Sequence, residues 1–574
     1  MTRIRKIEIA HFRGIEHLVW DPTPGINCMI GPGDSGKSTV LDAIDLCLGA
    51  RRSIGFADTD FFGLDVTQPI RITVTLGELH HSLVSLEAYG PFLRGYRNGV
   101  IEDEPAAGAE IVLSVTLTVS GDLEPNWSLT SDRAAQQGLT KMFGWADRLR
   151  LAPTRIGAVA DYNLAWQRGS VLHRLSEERA DASAALVQAV RAARTAFGQQ
   201  AQPQLAQALA TVTQTAQELG VPVGQSAQAL LDAHSVSYSG GTIALHSEAG
   251  VPLRNMGTGS SRLLVAGLQR KAAQLSSIVL ADELEYGLEP HRIARFLGSL
   301  GAKEASPLQA FLTTHSPVAL RELSSTQLCV VRQAGAVHEV RPLGAGDDIQ
   351  STVRLFPEAF LAQSVIVCEG ASEVGLLRGL DLYRVSQGHP SLAAMGVALI
   401  DVGGGDADRP HARANAFLDL GYRTMILRDD DIPPTQVVEQ AVVARGGTVV
   451  AYRAGRALED ELFASLPVVG CQALINYAYE LHEDLIHAQL ATVSNNTLTF
   501  QLIWDEIDAT QAIDPARRAT LGRAARIRKN GWFKSISWME HAARTIVGPN
   551  MDAADAGFRS LMNSVFAWAD RAPR

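Results

Sequence analysis

The apolar run Gly25-Ile26-Asn27-Cys28-Met29-Ile30 opens into Gly31-Pro32-Gly33-Asp34-Ser35-Gly36-Lys37-Ser38, and Thr39-Val40-Leu41-Asp42-Ala43-Ile44 continues at helical period. Few sequence features constrain a fold as tightly. A strand that feeds a glycine-rich loop and then a helix belongs at the carboxyl edge of an α/β sheet. There, backbone N–H groups and the helix N-terminus converge on an anion. Gly31, Gly33 and Gly36 let the main chain close around phosphates, with Asp34, Ser35 and Thr39 filling out the loop. Lys37 is expected to reach the β- and γ-phosphates, and Ser38 to ligate magnesium, so the ligand implied is ATP with Mg²⁺.

A second half of such a site is expected downstream. Ser277-Ile278-Val279-Leu280-Ala281 reads as a core strand that ends in Asp282-Glu283. Asp282 is placed to hold magnesium, and Glu283 to orient the attacking water. Residues 308–313 read as another buried strand, followed by Thr314-His315-Ser316. At this spacing His315 reads as a sensor of the γ-phosphate. Residues 4–12 alternate as an edge strand, with a turn at Arg13-Gly14-Ile15.

The C-terminal half carries a different chemistry. Three apolar strands end in acids: Ser364-Val365-Ile366-Val367-Cys368 before Glu369-Gly370, Val397-Ala398-Leu399-Ile400 before Asp401, and Thr424-Met425-Ile426-Leu427-Arg428 before Asp429-Asp430-Asp431. Glu373 opens the helix after the first strand. Strands alternating with helices imply a parallel sheet, which gathers ligands at the carboxyl ends of its strands. Glu369, Glu373, Asp401, Asp429 and Asp431 are therefore expected to share one crevice. Crowded carboxylates need cations, and oxygen ligands of this hardness select Mg²⁺, Mn²⁺ or Ca²⁺ over zinc. A pair of such ions is suited to hydrolysing phosphodiesters.

A length of 574 residues argues for about three to four domains. No apolar run is long enough to span a bilayer, the N-terminus leads straight into a strand with no signal-peptide core, and the five cysteines show neither zinc nor disulfide spacing. A cytoplasmic protein is expected. The net charge of −10 disfavours indiscriminate coating of nucleic acid. Yet residues 516–537 hold Arg517, Arg518, Arg523, Arg526, Arg528, Lys529 and Lys534 with no acid among them. That segment reads equally as a solvated helix face or as a phosphate contact, in which case Arg523, Arg526, Arg528 and Lys529 are the candidates. Residues 171–231 are rich in Ala, Gln, Leu and Arg at helical period, with too few large apolar side chains for a core of their own. They read as a dimerisation arm, the alternative being a helical lid on the same chain.

Together with Ile9-Ala10-His11-Phe12-Arg13-Gly14, the phosphate loop and the Asp-Glu strand resemble ABC-type ATPases of the SMC and RecF kind. In that group ATP is sandwiched between two heads. The segment matching the group's signature, Asn255-Met256-Gly257-Thr258-Gly259-Ser260-Ser261-Arg262, departs from its pattern at Gly257 and Ser260, and no Q-loop glutamine follows the strand at 70–76. The acidic half resembles the Toprim domain, by Glu-Gly-x-x-Glu after one strand and Asp-x-Asp after a later one. In this order the whole chain resembles the OLD (overcoming lysogenization defect) family of ATP-dependent nucleases, closer to its helicase-associated, Gabija-like class.

The resemblance implies an α/β fold in four parts: an ABC-type ATPase in residues 1–150 and 236–348, a helical insertion in 151–235, and a Toprim domain with a helical segment in 362–574. It also implies a homodimer or higher even oligomer, a UvrD-like helicase partner, and an ATP-regulated endonuclease acting on DNA, or alternatively on structured RNA, in phage defence or DNA processing. A nucleotide-switched scaffold is the non-enzymatic alternative. Mg²⁺ or Mn²⁺ is implied at both sites. Two further roles come only from the resemblance. A later carboxylate completes the metal site, Glu459 before Glu461, and a C-terminal lysine steadies the transition-state phosphate, Lys534 before Lys529.

Overall fold

The computed structural model describes residues 2–50, 54–157, 203–211, 256–271, 278–305, 308–453, 455–527 and 530–571, with isolated positions between 188 and 248. The segment 171–231 read as a dimerisation arm lies largely outside the described residues, as do Asn255, Arg528 and Lys529. The chain divides into two compact units. The first comprises Met1–Met29, Gly36–Leu323 and Ala334–Glu339; the second comprises Ile30–Ser35, Ser324–Gln333 and Val340–Arg574. Among the described residues no helix is long and apolar enough to cross a membrane.

The first unit is built on strands β1 (Arg3–Phe12), β2 (Ile15–Trp20), β3 (Ile26–Ile30), β4 (Ile70–Gly77), β5 (Leu93–Arg97), β6 (Val100–Glu102), β7 (Glu110–Val119), β8 (Pro125–Thr130), β9 (Thr154–Ile156), β10 (Ile278–Ala281) and β11 (Gln309–Thr313). One run is antiparallel, in the order β6-β5-β7-β4-β1-β2, with β8 on β7. The other is parallel, in the order β3-β11-β10-β9. All residues of β3, β10 and β11 are buried, as strands covered on both faces require. β1 is not the edge strand its alternation suggested. Ile7 pairs with Trp20 of β2 on one side and with Val74 of β4 on the other. Alternation reports one solvated face, not a position in the sheet.

In the second unit β14 (Ser364–Cys368), β15 (Val397–Asp401), β16 (Arg423–Arg428) and β17 (Thr448–Ala451) form a four-stranded parallel sheet in the order β15-β14-β16-β17, numbered after two intervening strands, β12 (Leu328–Ala334) and β13 (Val337–Pro342). Cys368 aligns with Asp401 and Leu427, and Arg428 with Ala451, so all four strands end at one level. Helices Ala371–Ser386, Arg409–Asp419 and Gln436–Ala444 connect the strands, and from Leu458 onward the unit is helical.

One helix contact fixes much of the later geometry. The helix Ala371–Ser386 meets Ile536–Ala542 and the turn after it through Gly375 and Gly379. A Cβ at Gly375 would stand 2.6 Å from the Ile536 carbonyl oxygen, and one at Gly379 would stand 2.3 Å from that of Glu540. Only glycine permits this approach. Beside it Trp532 and Phe533 are fully buried, with Trp532 Nε1–H donating to Gln489 Oε1 at 2.8 Å and its ring edge-on to Phe463. The chain is thus anchored on both sides of Lys534.

Candidate active site

The nucleotide half starts from local backbone chemistry. β3 runs directly into the glycine-rich loop, and the helix Lys37–Leu48 begins at the cap residue Gly36. Gly31 sits at φ +131°, where a Cβ would lie 2.8 Å from the Val331 carbonyl oxygen, and Gly36 at φ +84°, a left-handed value. Both positions demand glycine. In the first unit Ser38 Oγ donates to Asp282 Oδ1 at 3.0 Å, and Thr313 Oγ1 donates to the same oxygen at 2.5 Å. The Ser38 hydroxyl and the Asp282 carboxylate form a hard oxygen pair suited to Mg²⁺. Glu283 is exposed, at φ +44°, and its N–H donates to Thr313 Oγ1 at 2.8 Å.

A residue that the sequence did not single out for a role holds this turn. Arg262 is fully buried and donates to the carbonyls of Asp282, Glu283 and Tyr286 at 2.9, 3.1 and 2.7 Å. It thereby ties the helix Thr258–Lys271 to the Asp-Glu turn. Nearby, Glu285 accepts from Thr314 Oγ1 and from the His315 N–H, leaving the His315 side chain exposed.

The acidic half is more tightly built. At the strand ends, Glu369 Oε2 accepts the Asp429 N–H at 3.0 Å, Glu373 Oε2 accepts the Gly370 N–H at 2.8 Å, and Asp429 Oδ1 accepts the Leu458 N–H at 2.9 Å. Glu459, at the start of the helix Leu458–Ser465, joins them and is almost completely buried. Its oxygens accept no main-chain hydrogen bond, and its partner is the Lys534 ammonium, whose Nζ stands 3.3 Å from Oε1.

The carboxylates of this cluster oppose one another's ionisation. Burial, then Glu459, pushes the Glu373 carboxyl up to about 7. Burial, then Glu373, Glu459 and Glu369, drives Asp429 well above the usual carboxylate range. Glu369 is raised by burial and by Asp431, against the Asp429 N–H, Arg428 and Lys534. Partial burial opposes the charge on Lys534, but Glu459, Glu373 and Asp429 outweigh it and hold the ammonium above its ordinary value.

Among the described residues no three His, Cys, Asp or Glu side chains are grouped so that they could hold a metal ion as they stand. The donor set nonetheless fits a hard divalent cation. It is all oxygen, it is crowded enough to resist ionisation, and it includes a buried carboxylate with no main-chain donor and only the Lys534 ammonium beside it.

Comparison with known proteins agrees with this division of chemistry. A family model described as an AAA domain, putative AbiEii toxin, Type IV TA system, matches residues 26–321, more than half of the 574 residues. A second, the TOPRIM domain of overcoming lysogenization defect protein-like chains, matches residues 360–431. The chain belongs to the OLD family of ATPase–Toprim proteins.

Other likenesses of this OLD-family chain are partial. A chromosome partition protein Smc from Synechocystis sp. is 26% identical over 162 residues, 27% of this chain and 13% of that protein. Two DNA replication and repair proteins RecF, from Prosthecochloris aestuarii and Chlorobium luteolum, are 42% identical over 45 residues and 33% over 58. These matches cover 8% and 10% of this chain and 12% and 16% of the relatives, so the chain spans well under two thirds of each relative's length. The SMC head domain from Thermotoga maritima aligns at a TM-score of 0.30 and 12% identity, over 59% of this chain and 98% of that one. An SMC head bound to the C-winged helix domain of ScpA aligns at 0.32 and 12%, over 59% and 96%.

Within the OLD-family Toprim unit the remaining acids differ in their surroundings. Asp401 Oδ1 accepts the Gly403 N–H at 2.6 Å, and its carboxyl is raised by burial against that bond. Asp431 is ion-paired to Arg526, whose Nε also stands 3.1 Å from Asp460. Asp430 accepts from Arg428 and from the Gly455 N–H. Glu461, the other carboxylate weighed against Glu459, is fully buried between Arg453 and Arg456. Of the basic segment, Arg518 is spent on the carbonyls of Phe463 and Leu466, and Arg517 on Glu506. Arg523 is exposed and, with Arg456, Arg518 and Arg526, lines a cavity of about 450 Å³.

The Glu373 shift has a measurable sign. Its folded value near 7 lies above the ordinary 4.5, so the folded chain holds a proton that the unfolded chain releases. Its contribution to stability is intact below about 4.5, declines as pH rises, and is lost above about 7. In metal-free buffer Glu373→Gln is therefore expected to melt increasingly above the parent as pH goes from 5 to 8 (approximate bounds from the same shift). A Tm difference that stays flat or shrinks over that range would contradict the assignment.

Proposed function

We propose that this chain is an ATP-regulated, metal-dependent endonuclease that cuts or nicks DNA by phosphodiester hydrolysis. The observation that carries the reading is the cluster of Glu369, Glu373, Asp429 and Glu459 at the carboxyl ends of a parallel sheet, Glu373 and Glu459 buried and the other two partly so, with the Lys534 ammonium beside them. Divalent cations, Mg²⁺ or Mn²⁺, held by these carboxylates with Asp401 and Asp431 at the margin, would activate water and neutralise the leaving oxygen. Asp429 and Glu373 present oxygens oriented by backbone N–H groups, so little reorganisation is needed on binding. Lys534 is suited to stabilise charge as it develops on the phosphate. Arg523 and Arg526, with Arg528 and Lys529, would draw the nucleic-acid backbone in through its phosphates, without base information. At the other site Lys37, Ser38 and Asp282 would hold ATP and Mg²⁺, with Glu283 and His315 serving hydrolysis.

A role in phage defence, a helicase partner, homodimerisation through residues 171–231 and a cytoplasmic location are further parts of this proposal, supported by family membership. The deciding assay incubates the protein with supercoiled plasmid, linear DNA and structured RNA, with Mg²⁺ or Mn²⁺, with and without ATP. Cleavage of RNA alone would replace DNA as substrate, and no cleavage under any condition would leave the scaffold reading. Lys534→Ala is expected to slow single-turnover cleavage by about 100-fold or more while oligonucleotide affinity changes little, because the ammonium matters most as charge develops. Equal losses in binding and cleavage would make Lys534 a mere phosphate contact.

A further inference from the structure

Three of the four clustered carboxylates are aimed by main-chain donors: Glu369 by the Asp429 N–H, Glu373 by the Gly370 N–H and Asp429 by the Leu458 N–H. Glu459 has no such donor, although it is 1% exposed. Beside the same cluster stands a donor with nothing to donate to. Tyr452 is 2% exposed, and among the described residues its hydroxyl has no hydrogen-bond partner.

Its position is set by the sheet. Arg428 aligns with Ala451 across β16 and β17, and the Tyr452 N–H donates to the Arg428 carbonyl at 3.2 Å. Tyr452 therefore leaves its strand at the level where Asp429 leaves the neighbouring one. Burial, with Glu373, Asp429, Cys368 and Glu459 around it, keeps the phenol protonated by raising it well above its ordinary range. A buried hydroxyl without a partner is costly, and the carboxylate beside it is held, among the described residues, by the Lys534 ammonium and by no main-chain donor. Such a cost calls for a use.

We propose that Tyr452 is the positioning residue for Glu459: when a divalent cation enters the cluster and Glu459 turns one oxygen to it, the Tyr452 hydroxyl donates to the other. This rests on the metal-site reading above and adds to it the orienting donor that the fourth carboxylate lacks. Metal-bound carboxylates are commonly held in this way, and loss of the holding group costs about 10- to 100-fold in metal affinity or activity.

The test is titration of the full chain with MnCl₂ by calorimetry, without nucleotide or nucleic acid, counting only the isotherm that Asp429→Asn removes. Tyr452→Phe is expected to weaken that binding by about 10-fold or more. Metal-free Tyr452→Phe should melt at the parent's temperature or higher, because the substitution deletes an unsatisfied hydroxyl and keeps the ring. Glu459→Gln should weaken Mn²⁺ binding too, and Tyr452→Phe should add little on top of it, since the two act as a unit. A variant that binds Mn²⁺ as tightly as a binding-competent parent sinks this proposal alone. Additive losses would detach Tyr452 from Glu459 and overturn it as well. A parent with no Asp429-dependent isotherm sinks the metal-site reading, and this one with it.

Discussion

An Asp429→Asn protein is expected to lose DNA cleavage by about 1,000-fold or more while its ATP hydrolysis stays near the parent rate. The amide keeps the oxygen that accepts the Leu458 N–H, so the local fold has little reason to change. What it removes is one negative charge from a site where Glu373, Glu459 and Glu369 already oppose ionisation. Metal-free stability should therefore hold or rise while activity collapses. That opposition of signs separates lost metal ligation from damage to the fold, which would lower both. The measurements are plasmid nicking with Mg²⁺ or Mn²⁺, a melting curve without metal, and phosphate release from ATP. Nicking at the parent rate would remove Asp429 from the active centre.

Glu283→Gln is expected to bind ATP normally and to hydrolyse it on the order of 100-fold more slowly, the usual cost of losing a positioned base. Glu283 is exposed on its turn, and its own hydrogen bonds run through the backbone: the N–H to Thr313 and the carbonyl to Arg262. Exchanging the carboxylate for an amide leaves those bonds intact. Lys37→Ala is the contrasting variant, expected to abolish nucleotide binding itself. Nucleotide affinity by fluorescence and turnover by phosphate release would separate the two, and parental turnover in Glu283→Gln would show that the Asp-Glu strand had been misread. If ATP regulates cutting, the two variants should also shift nicking in opposite directions, one holding the ATP-bound state and the other denied it.

Much of this site was legible from residues alone, for a definite reason. Core strands of a parallel sheet read as unbroken apolar runs, and a charge directly after such a run can only sit at its end. Glu369, Asp401 and Asp429 stand where that logic puts them. The logic fails where neighbours in sequence part company in space. Asp429, Asp430 and Asp431 look alike in a string, yet Arg428 claims the second and Arg526 the third. Glu459 and Glu461 are two residues apart on one helix, and only packing decides that the first faces the acids and the second faces Arg453 and Arg456. Tyr452 carried no signal, since a tyrosine after a strand is usually core. Arg262 carried none either, because its partners are carbonyls, which every residue has. Composition could not divide the basic segment: several of its charges are spent inside the unit, while Arg523 stays exposed.

The glycine contact between the helix Ala371–Ser386 and the segment following Lys534 has a consequence for how this centre can vary. Where two helices meet through side chains, a substitution is absorbed by rotamers, and the spacing between them drifts. Here the main chains touch at Gly375 and Gly379, leaving nothing to adjust. The separation of Glu373 from Lys534 is therefore gauged by backbone thickness, a length that does not change with the surrounding core. One methyl group at Gly379 is therefore expected to move acid and ammonium apart while touching neither.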